Sequence, residues 1–189
     1  SCAPVINSTG MSSRATSKAR SGLVKQCSAS RSVCAEIAAM AAVRAARREE
    51  FGYAEDDVVF VCVARCAPQK AHEVLIEAAA RAHERDPRVR LLLVGDAPFG
   101  DGRQRAERVA RERGVLDTVV HFTGIRRDVP ELMAASDVFT MASRWEGLGL
   151  VFLEAMATSL PVLSTHVSAI PEVVLADETG LLVPPDDAV

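Results

Sequence analysis

Two glutamates with seven residues between them, Glu146 and Glu154, stand in the segment SRWEGLGLVFLEAMATSLPV (residues 143–162). Glu154 is the only charged residue between Glu146 and His166. A carboxylate in such apolar company is costly to desolvate unless it is paired or hydrogen-bonded. A position early in a helix, where the dipole favours an anion, lowers that cost. Gly147 and Gly149 let the backbone pass close to a ligand with free N–H groups turned towards it. The segment therefore predicts Glu146 on a loop and Glu154 on a helix, facing one cleft. Two carboxylates there suit a polyhydroxylated ligand, since each can accept hydrogen bonds from neighbouring hydroxyls. The structural alternatives are a helix glutamate paired with an arginine for Glu154 and an exposed loop acid for Glu146.

A second pair, Arg65 and Lys70, is cationic. Lys70 falls at or just before the start of a helix, an end that already carries about half a positive charge. An anion between the two side chains resolves the conflict, Arg binding phosphate oxygens at two points and Lys acting as a mobile charge. Taken alone, the R-x4-K spacing is more often just two solvated surface cations. The better-known phosphate signatures are missing. The sequence has no GxxxxGK[ST] and no GxGxxG after its first strand, where Ala64-Arg65-Cys66-Ala67-Pro68 stand instead.

These residues need elements to hold them. VVFVCVA (58–64) is a continuous, β-branched apolar run, as expected of a strand buried on both faces. VRLLLVG (89–95), VVHFTG (119–124), VFTMA (138–142), PVLST (161–165) and GLLVP (180–184) repeat the signal. Helical segments are expected between them at 72–85, 103–114, 128–137, 150–159 and 170–176. Strands alternating with helices on short connections mean βαβ units and an open parallel sheet, here a doubly wound, Rossmann-like α/β domain. In such sheets a ligand lies beyond the carboxyl ends of the strands, where Arg65, Lys70 and Glu146 fall.

The chain has 189 residues, 49% of them hydrophobic, enough for one domain with a sizeable core. Its net charge of −3 gives no general reason to expect nucleic acid as a partner. That charge is unevenly spread. Residues 1–50 hold 8 Lys/Arg against 3 Asp/Glu, and residues 51–189 hold 14 against 22. Residues 1–33, rich in Ser, Ala and Arg, are expected to form a poorly ordered linker, with an organelle transit peptide as the alternative. Residues 34–56 are expected as a helical lead-in, and 57–189 as the folded domain. No apolar run approaches the roughly 20 residues of a membrane span. Five irregularly spaced cysteines imply no disulfide framework, which suits a cytoplasmic chain.

From Arg48 to Asp187, VARCAPQKAHEVLIEAA, LLLVGDAP, VVHFTGIRRDVPELMAASDVF, the E-x7-E segment, SAIPEVV and ETGLLVPPDD occur in that order. The set resembles the carboxy-terminal, nucleotide-sugar-binding half of retaining GT-B glycosyltransferases of family 4, the glycosyl transferases group 1. The resemblance implies hexosyl transfer from a nucleoside-diphosphate sugar. It implies that Arg65 and Lys70 hold the diphosphate and Glu154 the ribose hydroxyls. It makes Glu146 the catalytic candidate, contacting the transferred hexose together with the backbone of Gly147, Leu148 and Gly149. Gly124, Ile125 and Arg126 would line the base. The motifs call for no metal or other cofactor. The family's acceptor-binding amino-terminal domain is not expected within residues 1–50, so acceptor binding and any peripheral membrane association are expected of parts outside this chain. The family's terminal helices are likewise expected beyond Val189, which leaves the domain truncated at its C-terminus and this fragment inactive by itself.

Some positions depart from the family pattern. Ala71, Ala97 and Ser159 stand where glycine is common, and Ser168-Ala169 replaces a Gly-Gly. A non-glycine residue costs roughly 1 kcal/mol or more wherever the φ angle is positive. A non-catalytic nucleotide-sugar-binding or interaction module derived from the same fold is therefore the alternative to an enzyme. A related GT-B epimerase or phosphorylase fits the ordered motifs less well.

Overall fold

The computed structural model describes residues 35–188 apart from 37 and 98. The expected linker, residues 1–33, lies outside the described residues. The chain divides into two units, residues 1–41 and 42–189. The described part of the first is helical. The second contains the sheet and everything discussed below.

Six strands, β1 (Val58–Val63), β2 (Val89–Val94), β3 (Val120–Gly124), β4 (Val138–Met141), β5 (Val162–Thr165) and β6 (Gly180–Val183), form one sheet. Its order is β3-β2-β1-β4-β5-β6, and every pairing is parallel. Helix α1 of this unit covers residues 42–50. It is followed by α2 (His72–Arg85), α3 (Gly102–Glu112), α4 (Val129–Ala135), α5 (Leu150–Ala157) and α6 (Ile170–Val173). The strands are the apolar runs and the helices the intervening periodic segments, as the sequence predicts. Helix α2 keeps the predicted bounds and α3 starts one residue early, while the other element ends shorten by up to three residues where turns take over.

Alternation along the strands divides the core between two faces. Phe60, Leu91 and Thr140 lie under Leu75, Ala78 and Ala79 of α2. Phe139, one residue on from Val138, points the other way and meets Phe152 of α5 edge-to-face, with ring centroids 5.5 Å apart. Helices thus cover both faces, which explains why β1 is apolar along its whole length and β2 everywhere but at Arg90.

Helix α1 is held by polar bonds. Arg48 is buried and donates to the carbonyls of Ala54 (2.9 Å), Asp57 (2.5 Å) and Ala135 (3.1 Å). Arg44 donates to the carbonyls of Ala134 (3.2 Å) and Ser136 (2.9 Å) and pairs with Asp137 at 2.6 Å. The last carbonyls of α4, which lack partners within their own helix, are satisfied in this way. Cys62 and Cys66 are buried free thiols, pushed up to about 12 and about 11 chiefly by burial, and so stay protonated.

Candidate nucleotide-sugar site

The strand order reverses direction between β1 and β4, so their carboxyl ends open into the crevice where doubly wound sheets bind ligands. The loops leaving these two strands are tied together. The backbone N–H of Arg144 donates to the carbonyl of Gln69 at 2.8 Å, and Gln69 Nε2 donates to the carbonyl of Trp145 at 3.1 Å. Between the loops Lys70 Nζ donates to Glu146 Oε1. Their side chains are only 12% and 7% exposed. Ser143, fully buried on the β4 loop, donates from Oγ to the same Oε1 at 2.8 Å. Its own carbonyl accepts a 2.5 Å bond from Thr165 Oγ1 of β5.

Arg65 is exposed on the same β1 loop, and its one described bond is a long contact of 3.5 Å to Gln69 Oε1. It remains available to an anion in a way that Lys70, engaged with Glu146, does not. Two helices begin at this edge without side-chain caps. Helix α2 follows Ala71 and α5 follows Gly149, and α5 has no acid in its first turn. Their first N–H groups are therefore unsatisfied by capping side chains, a feature of anion-binding helix ends.

Glu154 is placed otherwise than its neighbours in sequence suggest. It is exposed, and among the described residues it has no arginine partner. It lines a groove of about 240 Å³ with Val129, Pro130 and Met133 of α4 and with Ala157 and Thr158. This exposure has a simple cause: only Phe152 and Ala155 of α5 are buried, so the apolar run surrounding Glu154 includes exposed Leu150 and Leu153. Desolvation therefore does not constrain this carboxylate. Glu146 points inward to Lys70, while Glu154 points outward over α4.

Gly147 and Leu148 are exposed on the loop, and Gly149 adopts φ +61° as the cap of α5. A Cβ on Gly149 would come within 2.7 Å of the Phe152 ring. On the β3 loop, Gly124 has φ +69° and its carbonyl accepts from the N–H of Gly95 at 2.9 Å. Ile125 is exposed. Arg126 is already engaged, pairing with Glu50 of α1 at 2.6 Å and with Asp128 at 2.7 Å. That pair holds the Asp128 carboxyl down at about 2. Among the described residues no three His, Cys, Asp or Glu side chains converge as metal ligands.

Three of the five positions where the family resemblance expects glycine adopt the backbone that glycine favours. Ala71 has φ +47°, Ser159 +60° and Ser168 +48°, all left-handed, whereas Ala97 is not among the positive-φ residues. Ser143 and Gln69 were not singled out by sequence reasoning. Their only linear signal is a small polar residue at a strand end and an amide beside the lysine.

The parallel sheet, its strand order and the helices on both faces define a Rossmann-like α/β class of domain. The chain belongs to the family described as glycosyl transferases group 1, whose family model matches residues 57–189. It is 37% identical over 148 residues to the GDP-mannose-dependent alpha-(1-6)-phosphatidylinositol monomannoside mannosyltransferase of Mycolicibacterium smegmatis, covering 74% of this chain and 38% of that protein. It is also 37% identical over 145 residues to the D-inositol 3-phosphate glycosyltransferase of Mycobacteroides abscessus, covering 75% and 32%. The chain thus spans about a third of the length of these curated relatives. Among solved structures, Anabaena HepE in complex with UDP-glucose is similar at a TM-score of 0.72 and 31% identity, covering 78% of this chain and 40% of HepE. The C-terminal domain of the group 1 glycosyl transferase LpcC from Francisella tularensis matches at a TM-score of 0.63 and 29% identity, covering 69% of each chain.

Proposed function

We propose that residues 57–189 are the donor-binding half of a retaining glycosyltransferase that transfers a hexosyl group from a nucleoside-diphosphate sugar. The observation that carries this reading is the meeting of Lys70 and Glu146 at the switch point, in a chain of this family. Arg65 and Lys70 take the diphosphate, and the two cations supply the positive charge that the leaving group needs without a metal. The N–H groups at the start of α5 and the loop Gly147, Leu148 and Gly149 approach the sugar, with Glu146 as its acceptor of hydroxyl hydrogen bonds. Glu154, reached from solvent, takes the ribose hydroxyls. Gly124 and Ile125 flank the base, with Arg126 fixed behind them by Glu50 and Asp128.

HepE, 31% identical, has been crystallised with UDP-glucose, and the mycobacterial relatives include enzymes named as mannosyltransferases. Both support a nucleotide-sugar donor. Among the described residues no helix is long and apolar enough to cross a membrane, and the reading places the domain in the cytoplasm. Transfer also needs an acceptor held against the donor; the acceptor side is assigned to sequence beyond this match. Ala71, Ser159 and Ser168 adopt the left-handed backbone open to glycine, which favours retained binding over a degenerate module.

The test is calorimetry of the chain with UDP-glucose and GDP-mannose. Binding to one of them is expected, weakened tenfold to a hundredfold by Arg65→Ala or Lys70→Ala, as charge-assisted contacts of about 1.5–3 kcal/mol require. Absence of binding at millimolar ligand would overturn the reading.

A further inference from the structure

We propose that Glu146 is a built-in competitor of the diphosphate for Lys70, and that this competition makes the site prefer an intact nucleotide sugar over the free nucleoside diphosphate. The inference rests on the donor-binding reading given above. Its ground is the geometry of one ion pair. Lys70 Nζ contacts Glu146 Oε1, both side chains are largely removed from water, and Ser143 Oγ holds the same oxygen at 2.8 Å. The ammonium that a phosphate would need is therefore already neutralised by the protein's own carboxylate.

A diphosphate that reaches Lys70 must draw the ammonium from Glu146. The displaced carboxylate then lies close to the incoming phosphate, with like charges opposed in a poorly solvated place. Ser143 is the neutral donor that still holds it. A nucleotide sugar changes the balance, since its hexose hydroxyls offer Glu146 new donors at the moment Lys70 leaves. Only a ligand carrying both groups satisfies both members of the pair. After transfer the sugar is gone, Glu146 loses those donors, and its return to Lys70 helps to expel the diphosphate. The family resemblance implies for Glu146 a contact with the transferred hexose; the ion pair gives it an effect on the free diphosphate as well.

The two residues on the shared oxygen should act in opposite directions. Glu146→Gln removes the competing charge, frees Lys70 and should tighten UDP or GDP by about tenfold while weakening UDP-glucose or GDP-mannose relative to them. Ser143→Ala leaves the pair in place but takes away the donor that holds the displaced carboxylate. It should weaken the free diphosphate about threefold to tenfold, and it should have no effect in the Glu146→Gln background. A residue that is merely structural would lower affinity in both variants. Calorimetry with the four ligands, with thermal melts of each variant, reads these signs, and Ser143→Ala keeps the test alive if Glu146→Gln does not fold. If wild-type chain binds and Lys70→Ala weakens binding, but Glu146→Gln fails to tighten the diphosphate or Ser143→Ala fails to loosen it, the competition is wrong and the site reading survives. If Lys70→Ala changes nothing, or no ligand binds, the site reading fails and takes this inference with it.

Discussion

The N–H of Arg144 is bonded to the carbonyl of Gln69 at 2.8 Å, so the residue before Lys70 is fixed by the loop that carries Glu146. The Arg144 side chain reinforces the link, donating to the carbonyl of Pro68 at 2.8 Å and pairing with Asp186 beyond β6 at 2.8 Å. Loops from β1, β4 and β6 meet on one residue. Arg144→Ala should therefore weaken nucleoside diphosphate binding several-fold through a loosened Lys70 loop. The ion pair itself is about half exposed on both sides and contributes about 0.5 kcal/mol or less. Asp186→Ala should leave both affinity and melting temperature nearly unchanged. Calorimetry and melts on the two variants would show equal losses if the ion pair, and not the bond to Pro68, mattered.

The left-handed residues make a graded prediction. Ala71→Gly, Ser159→Gly and Ser168→Gly should each stabilise the domain by about 0.5–1 kcal/mol, because relief of strain exceeds the added chain entropy of glycine. Ala97→Gly, outside the positive-φ set, should give no gain. Urea midpoints for the four variants decide it, and a gain at Ala97 equal to the others would refute the strain argument.

Gly149 and Gly147 should respond differently to the same methyl group. At Gly149 a Cβ would press on the Phe152 ring at 2.7 Å and 2.9 Å with φ at +61°, whereas nothing lies within 4 Å at Gly147. Gly149→Ala should cost about 2 kcal/mol or more and shift the start of α5. Gly147→Ala should change stability by less than about 0.5 kcal/mol. Denaturation curves compared side by side test both.

Acid should destabilise the domain in two windows. His72 is buried at the start of α2, and burial lowers it to about 4 from its ordinary 6.5. Between those values the unfolded chain takes up a proton that the folded state refuses, so stability falls as pH drops from about 6.5 to about 4, by on the order of 3 kcal/mol. Asp128 is held at about 2 by the Arg126 hydrogen bonds, so its contribution is complete above the ordinary carboxylate range and fades towards pH 2. Denaturant titrations at pH 7, 5 and 4 should slope for the wild type. The slope should flatten for His72→Gln; if it does not, His72 is not the group responsible.

The strands were legible because a sheet covered on both faces needs long apolar runs, and VVFVCV and, past Arg90, LLLV are such runs. Arg65, Lys70 and Glu146 were legible as residues at strand ends. Their pairing was not, since Lys70 and Glu146 are 76 positions apart and only the β1–β4 neighbourhood brings them together. The exposure of Glu154 was hidden for a different reason. Apolar neighbours in a line do not bury a residue when the helix that carries them packs along one narrow edge. The family resemblance turns Arg126 towards the base, while its fork is taken by Glu50 and Asp128, acids too ordinary in the sequence to betray a partnership.

The arginines of α1 bear on where this domain begins. The family match opens at residue 57, yet the compact unit opens at residue 42, and Arg44 and Arg48 supply bonds to the carbonyls of Ala134, Ala135 and Ser136 and to Asp137. The stretch matched by the family model is thus shorter than the compact unit. A piece excised at the family boundary would carry the ligand-facing residues intact but lose the clasp on the back of α4, and its failure in a binding assay would say nothing about the crevice on the opposite edge of the sheet.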